Sequence, residues 1–373
     1  MVAKGKVGIL TTNYYNPDGN RIIYGGAERY GLELTKLLLE LEYEVAWWQV
    51  GTGWQKEMLP GVPLYSIPET GDNFQTCPRL NQSFYEQAVQ VDFAIYFVTF
   101  LAYPQVLEKS ISISHGIFWD YPSFDAVIPT EELRRERLRR LWLAFNGPRK
   151  IVSVDTATIQ WATTTWPGLW HKFEYIPNFV DLNLFSPSEQ ERKDGKIRVL
   201  FPRRLTSVRG INEAARAAEI LTKKYDNLEF HFVGRAHDDN LEKEMVRWSA
   251  KHPNIYYYWK APQDMPHVYQ NVDIVLIPSK STEGTSLSCL EAMAAGCAVI
   301  TSYVGGLPNL IIDDYNGLLI RPTAANLTAA IEELAFNHDL RKRLGQKARE
   351  VAANFGLEKW KRSWAKVIGE VFK

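Results

Sequence analysis

From Asp273 to Thr301 the chain runs DIVLIPSKSTEGTSLSCLEAMAAGCAVIT. Asp273–Ile277 is a short apolar run of the buried-strand kind. Polar turn residues follow, Ser279, Lys280, Ser281 and Thr282, then Glu283 and Gly284, then Thr285 and Ser286. Leu287, Leu290, Met293 and Ala294 recur at helical spacing on one face. Gly296 stops that helix, and Ala298–Ile300 starts the next strand. Strand, polar loop, helix and strand make a βαβ unit, which requires a parallel sheet. Its loop lies at the carboxyl end of a strand, where open parallel sheets bind their ligands.

The loop holds parts suited to a phosphorylated sugar. The amides of Thr285, Ser286 and Leu287 open a helix, lack intrahelical acceptors and suit an anion such as a diphosphate. Glu283, just before the helix, is able to accept hydrogen bonds from two sugar hydroxyls. Glu291 lies about one and a half turns inside the helix, at about 3.6 residues per turn, within reach of a ribose diol. Taken alone, the same residues also describe a capped helix with two solvated glutamates.

The full string decides between these. Glu283, seven intervening residues and Glu291, set in EGTSLSCLEAMAAGCAVI, resemble the donor-site signature of family 4 glycosyltransferases, retaining enzymes of GT-B fold. The resemblance implies that Glu283 contacts the donor sugar and Glu291 holds the ribose, with Gly284, Thr285, Ser286 and Leu287 around the diphosphate. It covers the C-terminal half of the chain well and the N-terminal half thinly, as expected if the N-terminal half meets a variable acceptor.

At 373 residues the chain has room for two domains. Its 43 basic and 43 acidic residues cancel, so no global field recruits nucleic acid. Three cysteines, Cys77, Cys289 and Cys297, carry neither a disulfide framework nor a zinc spacing. The N-terminal MVAKGKVGILTTNYY has the pattern of one apolar strand, not of a signal peptide, and no apolar run reaches about 18 residues. The expected location is cytoplasmic.

Lys6–Thr12 is expected as a first strand. After a polar loop, Gly25 and Gly26 precede a helix over Ala27–Leu41. Alone the glycine pair marks a strand-to-helix turn, and it is not a GxGxxG fingerprint. By resemblance, the GGAE string faces the donor phosphates and the acceptor. Val45–Val50 is a strand and residues 51 to 90 are irregular. Phe93–Phe97 and Ile111–Ser114 are strands, the latter ending at His115 and Gly116. A lone histidine is ordinarily a structural hydrogen-bonding residue; the resemblance puts His115 near the donor sugar. Trp119 and Tyr121, with Pro122 and Phe124, form either an acceptor platform or a packed aromatic loop. Glu131–Leu143 is a helix with five arginines, either a solvated surface helix laced with Glu–Arg pairs or a peripheral contact to an anionic membrane.

Lys150–Val154 is expected to be the last strand of the first domain. IPNFVD, from Ile176 to Asp181, resembles the family's IPNGVD segment, with Phe179 in place of Gly. Ser186–Lys196 is the linker candidate. Ile197–Phe201 opens the second domain, followed by Arg203, Arg204, Leu205, Arg209 and Gly210. The family pattern there is Gly-Arg-Leu, then Lys-Gly, so Arg203 replaces Gly and Arg209 replaces Lys. Cations after a strand suit a diphosphate leaving group, where charge grows as the glycosidic bond breaks. Leu228–Val233 is a strand ending at Gly234, counted with the donor loop. Asn254–Tyr258 is another, followed by Trp259 where the family has Gly. Gln263–Gln270, Ala324–Asn354 and Lys359–Phe372 are helical, and Asn316–Ile320 is a late strand.

The expected architecture is α/β: two doubly wound, Rossmann-like domains facing across a cleft (GT-B). The N-terminal, acceptor-side domain takes residues 1–190 and the nucleotide-sugar domain 191–355. A final helix, 356–373, crosses back. The expected reaction moves a sugar from a nucleotide diphosphate to a hydroxyl of a glycan, a lipid-linked or a small-molecule acceptor, with retention. His115, Glu283, Arg204 and Arg209 are the catalytic candidates. Neither cofactor nor metal is implied; Asp313 and Asp314 form a solvated loop pair. An epimerase of the same shape and a non-catalytic sugar-nucleotide binder stay open. Sugar, base, acceptor and oligomeric state are not legible.

Overall fold

The computed structural model describes residues 3–23, 25–69, 73–88, 90–117, 130–190, 192–236 and 239–373. Trp119 and Tyr121 lie outside the described residues. Chain contacts divide the molecule into two units: Met1–Pro177 with Trp360–Lys373, and Asn178–Lys359.

The first unit runs β1 (Lys6–Leu10), α1 (Gly26–Glu40), β2 (Glu44–Gly51), β3 (Gln55–Leu59), β4 (Val62–Pro68), α2 (Asn73–Gln87), β5 (Phe93–Tyr96), β6 (Ser110–Ser114), α3 (Glu131–Asn146), β7 (Lys150–Ser153), α4 (Thr156–Thr165) and β8 (Phe173–Tyr175). Its sheet order is β3-β4-β2-β1-β5-β6-β7-β8. All pairs are parallel except the β3–β4 hairpin. The order turns back between β1 and β5, the switch point of a doubly wound sheet. Parallel strands covered by helices on both faces must be apolar on both, and β1, β5 and β6 are buried along nearly their whole length.

Two sequence expectations fail in this unit. Residues 51 to 90 are not irregular: they hold the hairpin, which turns through Gly61 at φ 78°, and α2, which carries Pro78 inside it. Glycine and proline here punctuate elements instead of dissolving them. Nor is β7 the last strand, since β8 pairs beside it in parallel. At three residues, β8 is too short to show a periodicity.

The second unit runs β9 (Ile197–Phe201), α5 (Ile211–Lys224), β10 (Leu228–Val233), α6 (Asp239–Ser249), β11 (Ile255–Tyr258), α7 (Met265–Gln270), β12 (Ile274–Ile277), α8 (Leu287–Ala294), β13 (Ala298–Ser302), β14 (Leu318–Ile320), α9 (Ala324–Phe336) and α10 (His338–Ala352). The order β11-β10-β9-β12-β13-β14 is parallel throughout and reverses between β9 and β12. Helix α11 (Leu357–Val371) follows, and from Trp360 onward it belongs to the first unit. There Trp364 Nε1 donates to the Tyr30 hydroxyl at 2.8 Å, and Phe372 stacks on Phe93 at 4.5 Å. Among the described residues, no helix is long and apolar enough to cross a membrane.

Candidate functional site

The switch point of the second unit lies between the carboxyl ends of β9 and β12. The loop after β9 brings Arg203, Arg204 and Arg209. The loop after β12 brings Ser279 to Ser286 and then α8. Glu283 is 8% exposed, and its Oε2 accepts from both Arg203 and Arg209. Ser279 Oγ donates to the same oxygen at 2.6 Å and accepts from Arg203 Nη1 at 2.5 Å. Arg209 also donates to the Thr282 carbonyl at 2.9 Å.

Burial alone pushes the Glu283 carboxyl up. The guanidiniums of Arg203 and Arg209, with the Ser279 hydrogen bond, reverse that and hold it below the ordinary glutamate value. Burial lowers Arg209 to about 10; Glu283 opposes the shift, and Arg203 and Arg204 add to it. At neutral pH two guanidiniums therefore share one carboxylate, and a positive charge is left over. Arg204 extends into solvent beside them.

Glycines let these loops touch. A β-carbon on Gly234 would collide with the Arg203 carbonyl oxygen, and one on Gly305 with the Glu283 carbonyl oxygen. Gly305 holds φ 54°, and the Gly306 amide bonds that same Glu283 carbonyl at 2.9 Å. Gly234 thus fits Arg203 into place.

Helix α8 begins at Ser286, its N-cap, and no side chain caps it. Its first amides stay available for an anion, which the dipole also favours. Thr285 and Gly284 are buried just before it. Asn178 fixes this turn: its amide donates to Thr285 Oγ1 at 2.7 Å, and its Nδ2 donates to the Thr285 carbonyl. Phe179, the departure from the family's glycine, is buried beside it. Glu291, 5% exposed on α8, accepts from the Tyr269 hydroxyl at 3.0 Å. The switch point thus gathers Arg204, Arg209, Gly234, Glu283, Gly284, Thr285, Ser286, Leu287 and Glu291 in one unit.

Arg203, Ser279, Asn178 and Tyr269 were not anticipated from sequence. Asn178 carried a signal as part of the IPNFVD segment, and so did Arg203: an arginine where the family has glycine, next to an acidic loop, needs a carboxylate if it is buried.

The first unit holds the other candidates. Gly25 caps α1 in extended backbone, and Gly26 is its first helical residue. His115 follows β6, its ring edge-on to Tyr30 at 5.2 Å and tilted on Phe97 at 4.9 Å. Burial lowers its pKa to about 4, against a hydrogen bond to the Phe97 backbone, so the ring is neutral at pH 7. Its Nε2 is buried without a hydrogen-bond partner among the described residues. Near the ends of β6 and β7, Ser112, Ser114, Ser153, Asp155 and Thr158 are all buried. Asp155 caps α4, accepting from the Thr158 amide at 2.7 Å and the Thr158 hydroxyl at 3.2 Å. Burial outweighs those bonds and pushes its carboxyl up to about 6.

Residues 185–351 match the family model described as glycosyl transferases group 1. Spore coat protein SA of Bacillus subtilis (strain 168) is 28% identical over 241 residues; the alignment spans 58% of this chain and 64% of that relative's length. Among solved structures, sucrose-phosphate synthase from Thermosynechococcus elongatus superposes with a TM-score of 0.78 at 17% identity, over 99% of both chains. Anabaena Alr3699/HepE in complex with UDP-glucose superposes with a TM-score of 0.72 at 15% identity, over 98% of this chain and 100% of that one. At such identities the structures speak for the fold, and the family model speaks for the unit that carries Glu283 and Glu291. The second unit thus carries the match to the group 1 glycosyltransferases, and the chain has the GT-B fold.

Proposed function

We propose that this protein is a retaining glycosyltransferase that moves a sugar from a nucleotide diphosphate sugar to an acceptor hydroxyl. One observation carries the reading. Glu283 is locked on Arg203 and Arg209 at the switch point, beside an uncapped helix start whose second turn holds Glu291. That cluster is cationic overall and water-poor, which strengthens its grip on the charge that grows on a departing diphosphate.

Arg209, the exposed Arg204 and the first amides of α8 would hold the diphosphate. Glu291 would accept from the ribose hydroxyls, kept in place by Tyr269. Glu283 would orient the sugar. Attack comes from the face the diphosphate leaves, and its oxygen takes the acceptor proton, so no protein base is needed. With arginines and amides carrying the charge, the reading needs no metal. A uridine diphosphate sugar is the first donor to test, because Alr3699/HepE carries UDP-glucose.

The acceptor is a glycan, a lipid-linked saccharide or a small molecule. The second of these is supported by α3, where Arg135 is largely exposed and Trp142 stands 40% exposed; Trp170 is 71% exposed after α4. A basic helix bearing tryptophan suits an anionic lipid surface. Flotation with anionic vesicles, lost on adding salt, would support that contact; absence of flotation would remove it.

Calorimetry with UDP-, GDP-, ADP- and dTDP-sugars, followed by nucleotide release with and without acceptors, tests the whole reading. Binding of one donor and acceptor-dependent release of its nucleotide is expected. Turnover of the donor without an acceptor would favour an epimerase, and binding without turnover a sugar-nucleotide binder.

A further inference from the structure

Strands of a doubly wound sheet are apolar on both faces because helices cover both. The outer half of the six-stranded sheet departs from this on one side. Val199 and Phe201 of β9, Phe230 and Phe232 of β10 and Ile255 of β11 point into a core cluster with α5 and α6. Their alternates, Arg198, Glu229, His231, Tyr256 and Tyr258, line a cavity of about 600 Å³ with Lys260, Asp264 and part of α7. That volume lies within the range of small-molecule sites, about 300–1,000 Å³.

The lining selects a chemistry. Arg198 is committed to Asp194 and, at 2.9 Å, to Glu229. Lys260 and Asp264 oppose each other in sign, so the cavity favours neither an anion nor a cation. His231 stacks on Tyr256 at 4.9 Å and meets the edge of Tyr258 at 5.9 Å. Its Nδ1 is 3.3 Å from the Tyr258 hydroxyl. Its Nε2 is buried without a hydrogen-bond partner among the described residues, 3.9 Å from Glu229. Burial lowers the ring to about 4, so it stays neutral. An uncharged ligand with hydroxyls on its edge and an apolar face fits such walls: the exposed Tyr256 ring takes the face, and the exposed Lys260 and Asp264 take the hydroxyls.

We propose that this cavity is a saccharide-binding subsite for neutral glycans, with Tyr256 as its stacking surface and the polar side chains at its mouth, Lys260 and Asp264, as partners to hydroxyls. Its Arg198 end lies away from the switch point, since Arg198 precedes Arg203 by roughly 16 Å of extended chain at about 3.3 Å per residue, and its Tyr258 end comes near it, where the Tyr258 carbonyl accepts from the Gly234 amide at 3.3 Å. It is open to a ligand: Tyr256 is 39% exposed on the edge strand. The assignment does not depend on the donor reading.

The test is saturation-transfer NMR of the full chain with maltotetraose, cellotetraose, xylotetraose and chitotetraose, with and without saturating UDP-glucose. At least one saccharide should bind at or below about 10 mM, and UDP-glucose should not displace it. Tyr256→Ala should weaken it by about tenfold or more, leaving the melting temperature and UDP-glucose affinity unchanged. Absence of binding by all four, displacement by UDP-glucose, or binding untouched by Tyr256→Ala would overturn the proposal. Saccharide binding by a chain that ignores every nucleotide sugar would uphold this subsite and sink the donor reading.

Discussion

Two buried carboxylates stand just past strand ends, one in each unit, and they differ in sign of shift. Asp155 follows β7, faces hydroxyls and amides, and is raised to about 6. Glu283 follows β12, faces Arg203 and Arg209, and is held below its ordinary value. The two stand at different places in their sheets, Asp155 after β7 beside the edge strand and Glu283 after β12 at the switch point. Their neighbours set the shifts: loops bring Arg203 and Arg209 to Glu283, while Thr158 of α4 gives Asp155 an amide and a hydroxyl. One fold thus yields a charged grip in the second unit and a nearly neutral surface in the first.

Removing a cation from the charged grip should have the largest effect. Arg203→Ala leaves Glu283 buried with one guanidinium less and should cost about 3–5 kcal/mol in urea unfolding. A loss below about 1 kcal/mol would mean that the cluster is better hydrated than its burial indicates. Next, Glu291→Ala should weaken nucleotide binding by about 1.5–3 kcal/mol in calorimetry, with the fold intact by circular dichroism. Third, Arg204→Ala should lower kcat by roughly 10–100-fold while KM moves far less; equal changes in both would argue against a leaving-group role.

A fourth prediction concerns Asp155. A carboxyl raised on folding binds protons in the native state, so its contribution is present below about pH 4 and lost as pH rises through about 6. Relative to the wild type, Asp155→Asn, which keeps the cap, should gain about 1.4 kcal/mol per pH unit across that window. Glu283 has the opposite sign: its contribution is present above its unfolded pKa and lost on acidification. If urea unfolding of Asp155→Asn tracked the wild type at every pH, the contrast between the two carboxylates would fail.

Legibility followed the same division. In the second unit, β9 and β10 fall where the apolar runs lie, and the spacing of Glu283 and Glu291 brings both to one switch point. In the first unit the β3–β4 hairpin and α2 escaped, because Pro60, Gly61 and Pro78 resemble a loop when their pairing partners are unknown. Trp47 and Trp48 are buried core, 1% and 5% exposed, as alternate faces of a covered strand require. Arg203 was legible as a departure but not as a partner, because its carboxylate lies 80 residues away in sequence. Ser279 and Tyr269 gave no sign, since a hydroxyl aimed at a carboxylate looks like any other serine or tyrosine. The hydroxyl-lined ends of β6 and β7 likewise look, one residue at a time, like ordinary strand serines.

The packing of Gly234 against Arg203 and of Gly305 against Glu283 limits how this protein can be re-engineered. Each glycine abuts the main chain of a charged partner, so enlarging either one displaces the partner's peptide along with its side chain. Libraries meant to change what the protein accepts should freeze both positions. Diversity belongs at Trp259, which is 42% exposed with Arg235 lying 4.6 Å over its ring. Side chains there can be exchanged without moving the backbone on which the acid and its cations are mounted.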